Sequence, residues 1–178
     1  MMDYESVYNF GELNSFIYTV NEIPKGSIQK VEFNTERKTF ELDRVEPQIF
    51  AKPTNYGFIP QTVDEDGDPL DTLIITDEPI ATGVVVKARV IGVLNFVDGG
   101  ENDHKIVCVP EDDRQEGNTL KDIGDLNEQL KKQIEHHFAH YKDLKRPGTT
   151  QVGGFGDAAA AWVVIQDCID RYVQPKTK

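Results

Sequence analysis

Five carboxylates fall within the eight residues from Asp64 to Asp71, and no lysine or arginine interrupts the run. Two like charges about 4 Å apart repel by about 4 kcal/mol at an effective dielectric constant of roughly 20. A fold that gathers these side chains must therefore protonate them, leave them in water or neutralise them with cations. Carboxylate oxygens on a turn stiffened by Pro69 are the hard ligands that Mg²⁺, Mn²⁺ and Ca²⁺ select. The run predicts either a metal site or, as charge runs usually do, a solvated loop.

A second acidic segment runs from Asp98 to Asp103 and begins with an Asp-Gly-Gly sequence, which is typical of a hairpin turn. A turn and a metal site are compatible, because a turn can present both of these aspartates together. If this turn meets the first run, the shared space requires several divalent ions to offset Asp66, Asp68, Asp71, Asp98 and Asp103. Carboxylate sites with several metals are characteristic of phosphoryl-transfer chemistry.

The elements that must position these residues are mostly β-strands. Short apolar runs between polar or Gly/Pro turns predict strands at Leu13–Val20, Ile28–Asn34, Lys38–Asp43, Leu73–Thr76, Val84–Val97 and His104–Val109. Gly92, inside the longest run, predicts a bend or bulge. Consecutive short strands of this kind predict a small barrel or a sandwich, and periodicity alone does not choose between them.

Helices are predicted near the end of the chain, which makes the fold class mainly β with helices (α+β). Asp125 is placed to open the first helix, with Glu128 completing a capping box. Its apolar face at helical spacing consists of Leu126, Leu130, Ile134, Phe138 and Tyr141. A second helix is predicted to start at Asp157, with Trp162 and Ile165 facing inward.

Length and charge exclude several classes of protein. A chain of 178 residues predicts one domain, spanning residues 1–178. The net charge of −12 and the pI near 4.7 argue against a surface for nucleic acid or for anionic membranes. The first residues do not resemble a signal peptide, and no apolar run has the length of a membrane span. Cys108 and Cys168 lie in apolar stretches, which predicts buried thiols of a cytoplasmic protein.

Polar blocks in a definite order surround the segment Asp66–Asp71, which reads Asp-Gly-Asp-Pro-Leu-Asp. The other blocks are Glu22–Ser27, Lys30–Glu32, Asp43-Arg44, Asn55–Pro60, the residues Asp98, Asp103 and Lys105, and His140–Leu144. In this order, almost from end to end, the chain resembles the soluble family I inorganic pyrophosphatases of the prokaryotic type. Asp64 and Glu65 lie outside the family's signature and are expected to be flanking charge.

The resemblance implies a distorted five-stranded β-barrel of the OB type with two α-helices packed outside it. It also implies an inorganic diphosphatase, which hydrolyses inorganic pyrophosphate to two orthophosphates with a metal-activated water. Mg²⁺ is the implied cofactor, with Mn²⁺ or Zn²⁺ as alternative ions. Short members of the family commonly form hexamers, so a homohexamer is expected, with no nucleic-acid or membrane partner.

Site roles also follow from the resemblance. The implied metal ligands are Asp66, Asp71, Asp98, Asp103 and Glu22, the last often acting through water. Asp68 matches the general base that takes a proton from the attacking water. The implied phosphate-binding residues are Lys30, Arg44, Tyr56, Lys105, Tyr141 and Lys142. Glu32 matches a polar site residue to which the resemblance assigns no definite role.

Most of these phosphate-binding residues also have an ordinary structural explanation. Lys30 and Glu32 share one side of a predicted strand and can form a surface ion pair. Arg44 can bond a nearby carboxylate such as Asp43 or Glu46. The tyrosines can be core aromatics, and Lys142 can complement a helix dipole. The ordered match, rather than any one residue, favours the functional interpretation.

The chain departs from the family's pattern in two places. Lys52 stands where the family often has an aromatic residue, and an added cation there can alter substrate affinity or occupy a metal position. Thr149, Gly153 and Phe155 replace the Trp, Glu and Trp often found in that segment, which implies altered packing or oligomer contacts.

A histidine pair on the first predicted helix has two interpretations. His136 and His140 lie one helical turn apart, a spacing that suits Zn²⁺ or a surface between subunits. The resemblance favours the subunit surface. Histidine protonates near about pH 6.5, so looser assembly at acid pH is predicted.

Two other functions stay open at this point. One is a metal-dependent phosphohydrolase that acts on nucleotides or polyphosphate, although the sequence has no Gly-rich phosphate loop. The other is a non-catalytic OB module that binds metal. Phosphate release from pyrophosphate, compared with release from ATP, separates all three functions.

Overall fold

The computed structural model describes residues 3–4, 16–115 and 117–174. The strands are β1 (Ile17–Ile23), β2 (Gln29–Asn34), β3 (Thr39–Val45), β4 (Asn55–Phe58), β5 (Asp71–Ile74), β6 (Val85–Asp98), β7 (Glu101–Asn102), β8 (Lys105–Pro110) and β9 (Thr150–Gly156). The α-helices are α1 (Glu128–His140) and α2 (Ala158–Val173). No helix in these ranges is long and apolar enough to cross a membrane.

Five of the strands pair in a closed ring. β1 pairs with β4, β4 with β5 and β6 with β8, all antiparallel, while β5 and β8 run parallel. The ring closes because β6 also pairs with β1, through Val85 to Ala88. This closure decides between barrel and sandwich and confirms the predicted mainly β fold with a five-stranded OB-type barrel. β2 and β3 form a separate hairpin.

The long strand β6 pairs with β1, β7, β8 and β9, and it is bulged. The register of its pairing with β8 shifts between Val90 and Gly92, which confirms the predicted irregularity. A Cβ at Gly92 would lie 2.7 Å from the Gly156 carbonyl oxygen and 2.8 Å from the Ile123 Cβ. Only glycine fits this close approach, which brings β9 and the chain before α1 against the bend.

The two helices pack against different parts of the core. α2 contributes Ile165, Cys168 and Ile169 to an apolar cluster with the barrel strands. α1 contributes Ile134 and Phe138 to a second cluster, which also contains buried residues of the bulged strand β6. Both cysteines are free thiols and buried, as predicted.

Some predicted boundaries were wrong. α1 begins at Glu128, because the Asn127 side chain accepts hydrogen bonds from the amides of Gln129 and Leu130. Asp125 instead completes a capping box with Asp122 around the short 3₁₀ turn Ile123–Asp125. α2 starts as predicted, with Asp157 as its N-cap.

The remaining differences concern strands. β4, β7 and β9 were not predicted, because they are short or rich in glycine and polar residues. Of the first predicted strand, residues 13–15 lie outside the described residues.

Candidate active site

One cavity of about 310 Å³ lies where the β2–β3 hairpin, one end of the barrel and the end of α1 meet. Every residue that the sequence predicted for the site lines it: Glu22, Lys30, Glu32, Arg44, Tyr56, Asp66, Asp68, Asp71, Asp98, Asp103, Lys105, Tyr141 and Lys142. These residues are spread over most of the chain. The fold therefore brings the two acidic segments together at one cavity, which the sequence had left open.

The first acidic run is a tight turn at the cavity wall. The Asp64 amide donates to the Asp68 carbonyl (2.7 Å), and the Asp68 amide donates to the Asp66 side chain (3.0 Å). Gly67 has φ 90°, a conformation that favours glycine. The turn leaves Asp66 and Asp68 exposed at the wall, while Asp71 follows in β5.

The expectation that Asp64 is flanking charge was wrong. Asp64 is buried at 4 % exposure and accepts hydrogen bonds from the amides of Glu65 (2.8 Å) and His104 (3.2 Å). Its carboxylate also lies 3.8 Å from the Arg171 guanidinium of α2. Asp64 thus anchors the acidic turn to α2 and to the second acidic segment. Glu65 is exposed, as expected.

Desolvation raises the proton affinity of several of the carboxylates. Burial raises the pKa of Glu22 to about 8, although the Phe33 amide donates to it at 2.7 Å. Burial likewise raises the pKa of Asp103 to about 7, against the opposing charge of Lys105. Partial desolvation and, next, the charge of Asp71 raise the pKa of Asp68.

The basic residues of the cavity are held by these carboxylates. The Lys105 ammonium is buried and donates to Asp71 (2.6 Å) and to Asp103. Lys142 donates to Asp98, which also accepts from the Tyr141 hydroxyl (3.3 Å). The positive and negative walls of the cavity are therefore in direct contact.

The β2–β3 hairpin supplies further charged groups. Lys30 lies 2.5 Å from Glu32, and Arg44 donates to Asp43 (2.6 Å) and to Glu46. These are the ion pairs that a structural explanation predicted. They do not remove the residues from the site, because Lys30 and Arg44 still line the cavity.

The two cavity tyrosines are hydrogen-bond donors. Tyr56 donates to Asp71 at 2.5 Å, and Tyr141 donates to Asp98. Burial and the nearby carboxylates raise the pKa of both hydroxyls, so both stay protonated at neutral pH. They add polarity to the site without adding charge.

The donor chemistry of the site fits a hard divalent cation. Several carboxylates are held at raised proton affinity within one cavity, and a divalent ion would offset their repulsion. Across the described ranges, no three or more His, Cys, Asp or Glu side chains are already gathered around a common point. Lys105 stands between Asp71 and Asp103 instead. Metal binding at these two residues therefore requires the ammonium to move.

Two lining residues were not predicted for the site. Lys52 was predicted only as a departure from the family's pattern, and His137 was not predicted at all. The Lys52 ammonium lies 4.4 Å from the centroid of the Tyr56 ring, and both residues line the cavity. His137 is also part of the lining. It precedes Tyr141 by four residues and therefore shares its helix face, which is the signal that could have revealed it.

Comparisons with known proteins agree with the site. The inorganic pyrophosphatase family model matches residues 19–173. The inorganic pyrophosphatase of Neisseria meningitidis serogroup A is 58% identical over 97% of this chain and 98% of its own length. That of Haemophilus influenzae is 56% identical over the same shares.

Solved structures give the same result. An inorganic pyrophosphatase from Neisseria gonorrhoeae superposes with a TM-score of 0.93 at 57% identity, covering 97% of this chain and 100% of the other. The enzyme from Thermus thermophilus superposes with a TM-score of 0.90 at 36% identity, with the same coverage. This chain therefore belongs to the inorganic pyrophosphatase family.

Proposed function

We propose that this protein hydrolyses inorganic pyrophosphate to two orthophosphates, with Mg²⁺ as its resident metal. The observation that carries the proposal is a cavity lined both by carboxylates, here called the acidic wall, and by lysine, arginine and tyrosine side chains, here called the basic wall. The carboxylates suit divalent ions, and the basic and hydroxyl groups suit phosphate oxygens. Membership of the inorganic pyrophosphatase family supports the same reaction.

The acidic wall supplies the metal ligands in this proposal. Asp66, Asp71 and Asp103 would hold one ion, Asp98 and Asp103 would contribute to a further ion, and Glu22 would lie beside them. When bound, Mg²⁺ offsets phosphate charge and lowers the pKa of a coordinated water. Mn²⁺ and Zn²⁺ use similar ligands and are alternative ions.

Asp68 is the proposed general base. In the described part of the chain, its carboxylate has no lysine or arginine partner, whereas Asp71, Asp98 and Asp103 each bond a lysine. Its raised pKa also favours accepting a proton from the attacking water.

The basic wall binds and orients the phosphates. Lys30, Lys105 and Lys142 act as mobile point charges, while the planar Arg44 can grip two oxygens at once. Each contacts a carboxylate in this structure, so these four side chains would have to leave their ion pairs to bind substrate phosphates. Tyr56 and Tyr141 donate hydrogen bonds. Glu32 is a further polar residue of the β2–β3 hairpin that lines the cavity. Positioning and electrostatics of this kind are most of what phosphoryl transfer requires of a protein.

The test is a phosphate-release assay on pyrophosphate, with Mg²⁺ and with excess chelator. We expect rapid release with Mg²⁺ and almost none with chelator. ATP under the same conditions should release phosphate far more slowly. Metal binding without phosphate release would contradict the proposal and indicate a non-catalytic module.

We also propose a cytoplasmic homohexamer of one domain, residues 1–178. Exposed apolar side chains give the assembly a surface to bury, including Ile49 (76 % exposed), Leu144 (70 %) and Val163 (62 %). Sedimentation of the purified protein measures the assembly size directly. A monomer at micromolar concentration would contradict it.

A further inference from the structure

Lys52 differs from every other lysine or arginine that lines the cavity. Lys30, Arg44, Lys105 and Lys142 each contact at least one carboxylate. Among the residues that the structure describes, the Lys52 ammonium has no hydrogen-bond or ion-pair partner. It lies instead against three aromatic rings, with its nitrogen 4.4 Å from the centroid of Tyr56 and 5.6 Å from those of Phe138 and Tyr141.

This environment holds a positive charge without neutralising it. The faces of aromatic rings attract a cation by about 0.5–2 kcal/mol, which is much weaker than a desolvated ion pair. Burial and then the charge of Lys105 lower the pKa of Lys52 to about 8. Asp71 favours the charged form, but its carboxylate already bonds Lys105 and Tyr56. An anion entering the cavity would therefore gain from Lys52 without first breaking an ion pair.

A second unpartnered polar group lies on the same side of the cavity. His137 is 8 % exposed, and its Nε2 atom has no hydrogen-bond partner. Its ring stacks on Tyr141, with centroids 5.7 Å apart and planes 15° apart. Burial and then the charge of Lys52 lower the pKa of His137 to about 3, so the ring is neutral and can donate a hydrogen bond through Nε2.

We propose that Lys52 and His137 form an anion subsite, which binds a phosphate group at the aromatic side of the cavity. The inference deepens the proposed function and rests on it, because the ligand is either a phosphate of pyrophosphate or the orthophosphate product. The oxygens of such a group would meet the Lys52 ammonium and the Nε2 atom of His137. Charge and hydrogen-bond capacity would then be satisfied together.

The test uses substitutions that keep shape and change one property. Lys52→Met removes the charge but keeps an unbranched side chain against the rings. Lys52→Arg keeps the charge. His137→Phe keeps a ring and removes Nε2. Lys132→Met, at an exposed position of α1, is the control for the loss of one lysine charge.

For each variant, KM and kcat on Mg²⁺-pyrophosphate and inhibition by orthophosphate are measured. Calorimetric binding of Mg²⁺-methylenediphosphonate, which is not hydrolysed, gives substrate-site affinity independently of turnover. Thermal unfolding shows which variants remain folded.

We expect Lys52→Met to weaken phosphate affinity about tenfold, the loss typical of one charge-assisted hydrogen bond, with kcat changed much less. Lys52→Arg keeps the positive charge and should therefore retain more of the phosphate affinity than Lys52→Met. His137→Phe should weaken affinity by about three- to tenfold. Weaker diphosphonate binding with raised KM assigns the subsite to substrate, and weaker orthophosphate inhibition alone assigns it to product.

Unchanged affinity for both ligands in folded Lys52→Met would overturn the subsite. A Lys52→Met protein in which only the Mg²⁺ requirement changes would also overturn the subsite, since that result would place Lys52 at a metal position. If the parent protein releases no phosphate from pyrophosphate, the proposed function fails. The diphosphonate and orthophosphate binding data would still decide whether the subsite exists.

Discussion

Asp68 and Asp71 are three residues apart, but their surroundings suit them to different chemistry. Asp71 lies in β5 and is bonded by Lys105 and Tyr56, whereas Asp68 projects from an exposed turn. An aspartate that is held by donors can exchange them for a metal ion. One without a lysine or arginine partner in the described residues is free to accept a proton.

Replacing the proposed base tests this difference. We expect Asp68→Asn to lower kcat by about 10²- to 10⁴-fold, because general-base catalysis typically contributes that much. Thermal stability and Mg²⁺ affinity should change little, because the side chain is exposed and is not a proposed ligand. Steady-state kinetics and calorimetric Mg²⁺ binding measure both quantities. Robust turnover in Asp68→Asn would remove this residue from the role of base.

Lys105 is a buried charge whose removal takes the ammonium partner from both Asp71 and Asp103. We expect Lys105→Met to lower the free energy of unfolding by about 3 kcal/mol in the metal-free protein, since breaking a buried ion pair typically costs 3–5 kcal/mol. Mg²⁺ should recover part of that loss, because it can replace the ammonium between Asp71 and Asp103. Urea unfolding with and without Mg²⁺ measures both effects. The exposed Lys132→Met should differ from the parent by no more than about 0.5 kcal/mol.

At the scale of elements, the bulge in β6 joins the barrel to the helical part of the chain. We expect Gly92→Ala to reduce the free energy of unfolding by about 1–3 kcal/mol, because the new methyl group would overlap the Gly156 carbonyl and Ile123. Gly124→Ala is a matched control, since a Cβ there meets nothing within 4 Å. Urea denaturation of the two variants measures the difference. Equal free energies of unfolding for Gly92→Ala and Gly124→Ala would contradict this prediction.

The strands and helices could be predicted only where a strong local signal existed. The alternating run of β6 and the Asp157 cap of α2 are such signals, and both predictions were close. β4 contains Asn55, Tyr56 and Gly57, and its pattern is not that of a strand. It forms one because its neighbours β1 and β5 supply the hydrogen bonds and because Gly57 lets β1 approach closely. Such pairing is a property of the fold rather than of the segment.

At the scale of the whole molecule, the His136 and His140 rings lie 4.5 Å apart on α1. His140 also pairs with Asp143 at 2.7 Å. If this surface lies between subunits, positive charge on both rings would add like charges that Asp143 only partly offsets. We expect the assembly to be looser at mildly acid pH than at neutral pH, as the sequence predicted.

Sedimentation velocity at neutral pH and at mildly acid pH measures this change. A His136→Gln, His140→Gln double variant should keep the same oligomeric state at both. An unchanged oligomer of the parent protein at acid pH would contradict the prediction.

The types and order of the polar residues were sufficient to predict metal-assisted phosphate chemistry, because the chain resembles the inorganic pyrophosphatases block by block. Tertiary structure alone decided which groups already have partners. Asp64 looked like flanking charge and is a buried anchor, while Lys52 looked like a departure and is the unpaired cation among the described lysines and arginines of the cavity. A group's partners depend on contacts between segments that are distant in the sequence. Burial of a charged group makes the free-energy cost of lacking a partner large. A linear sequence shows the charges but not which of them are left to bind a ligand.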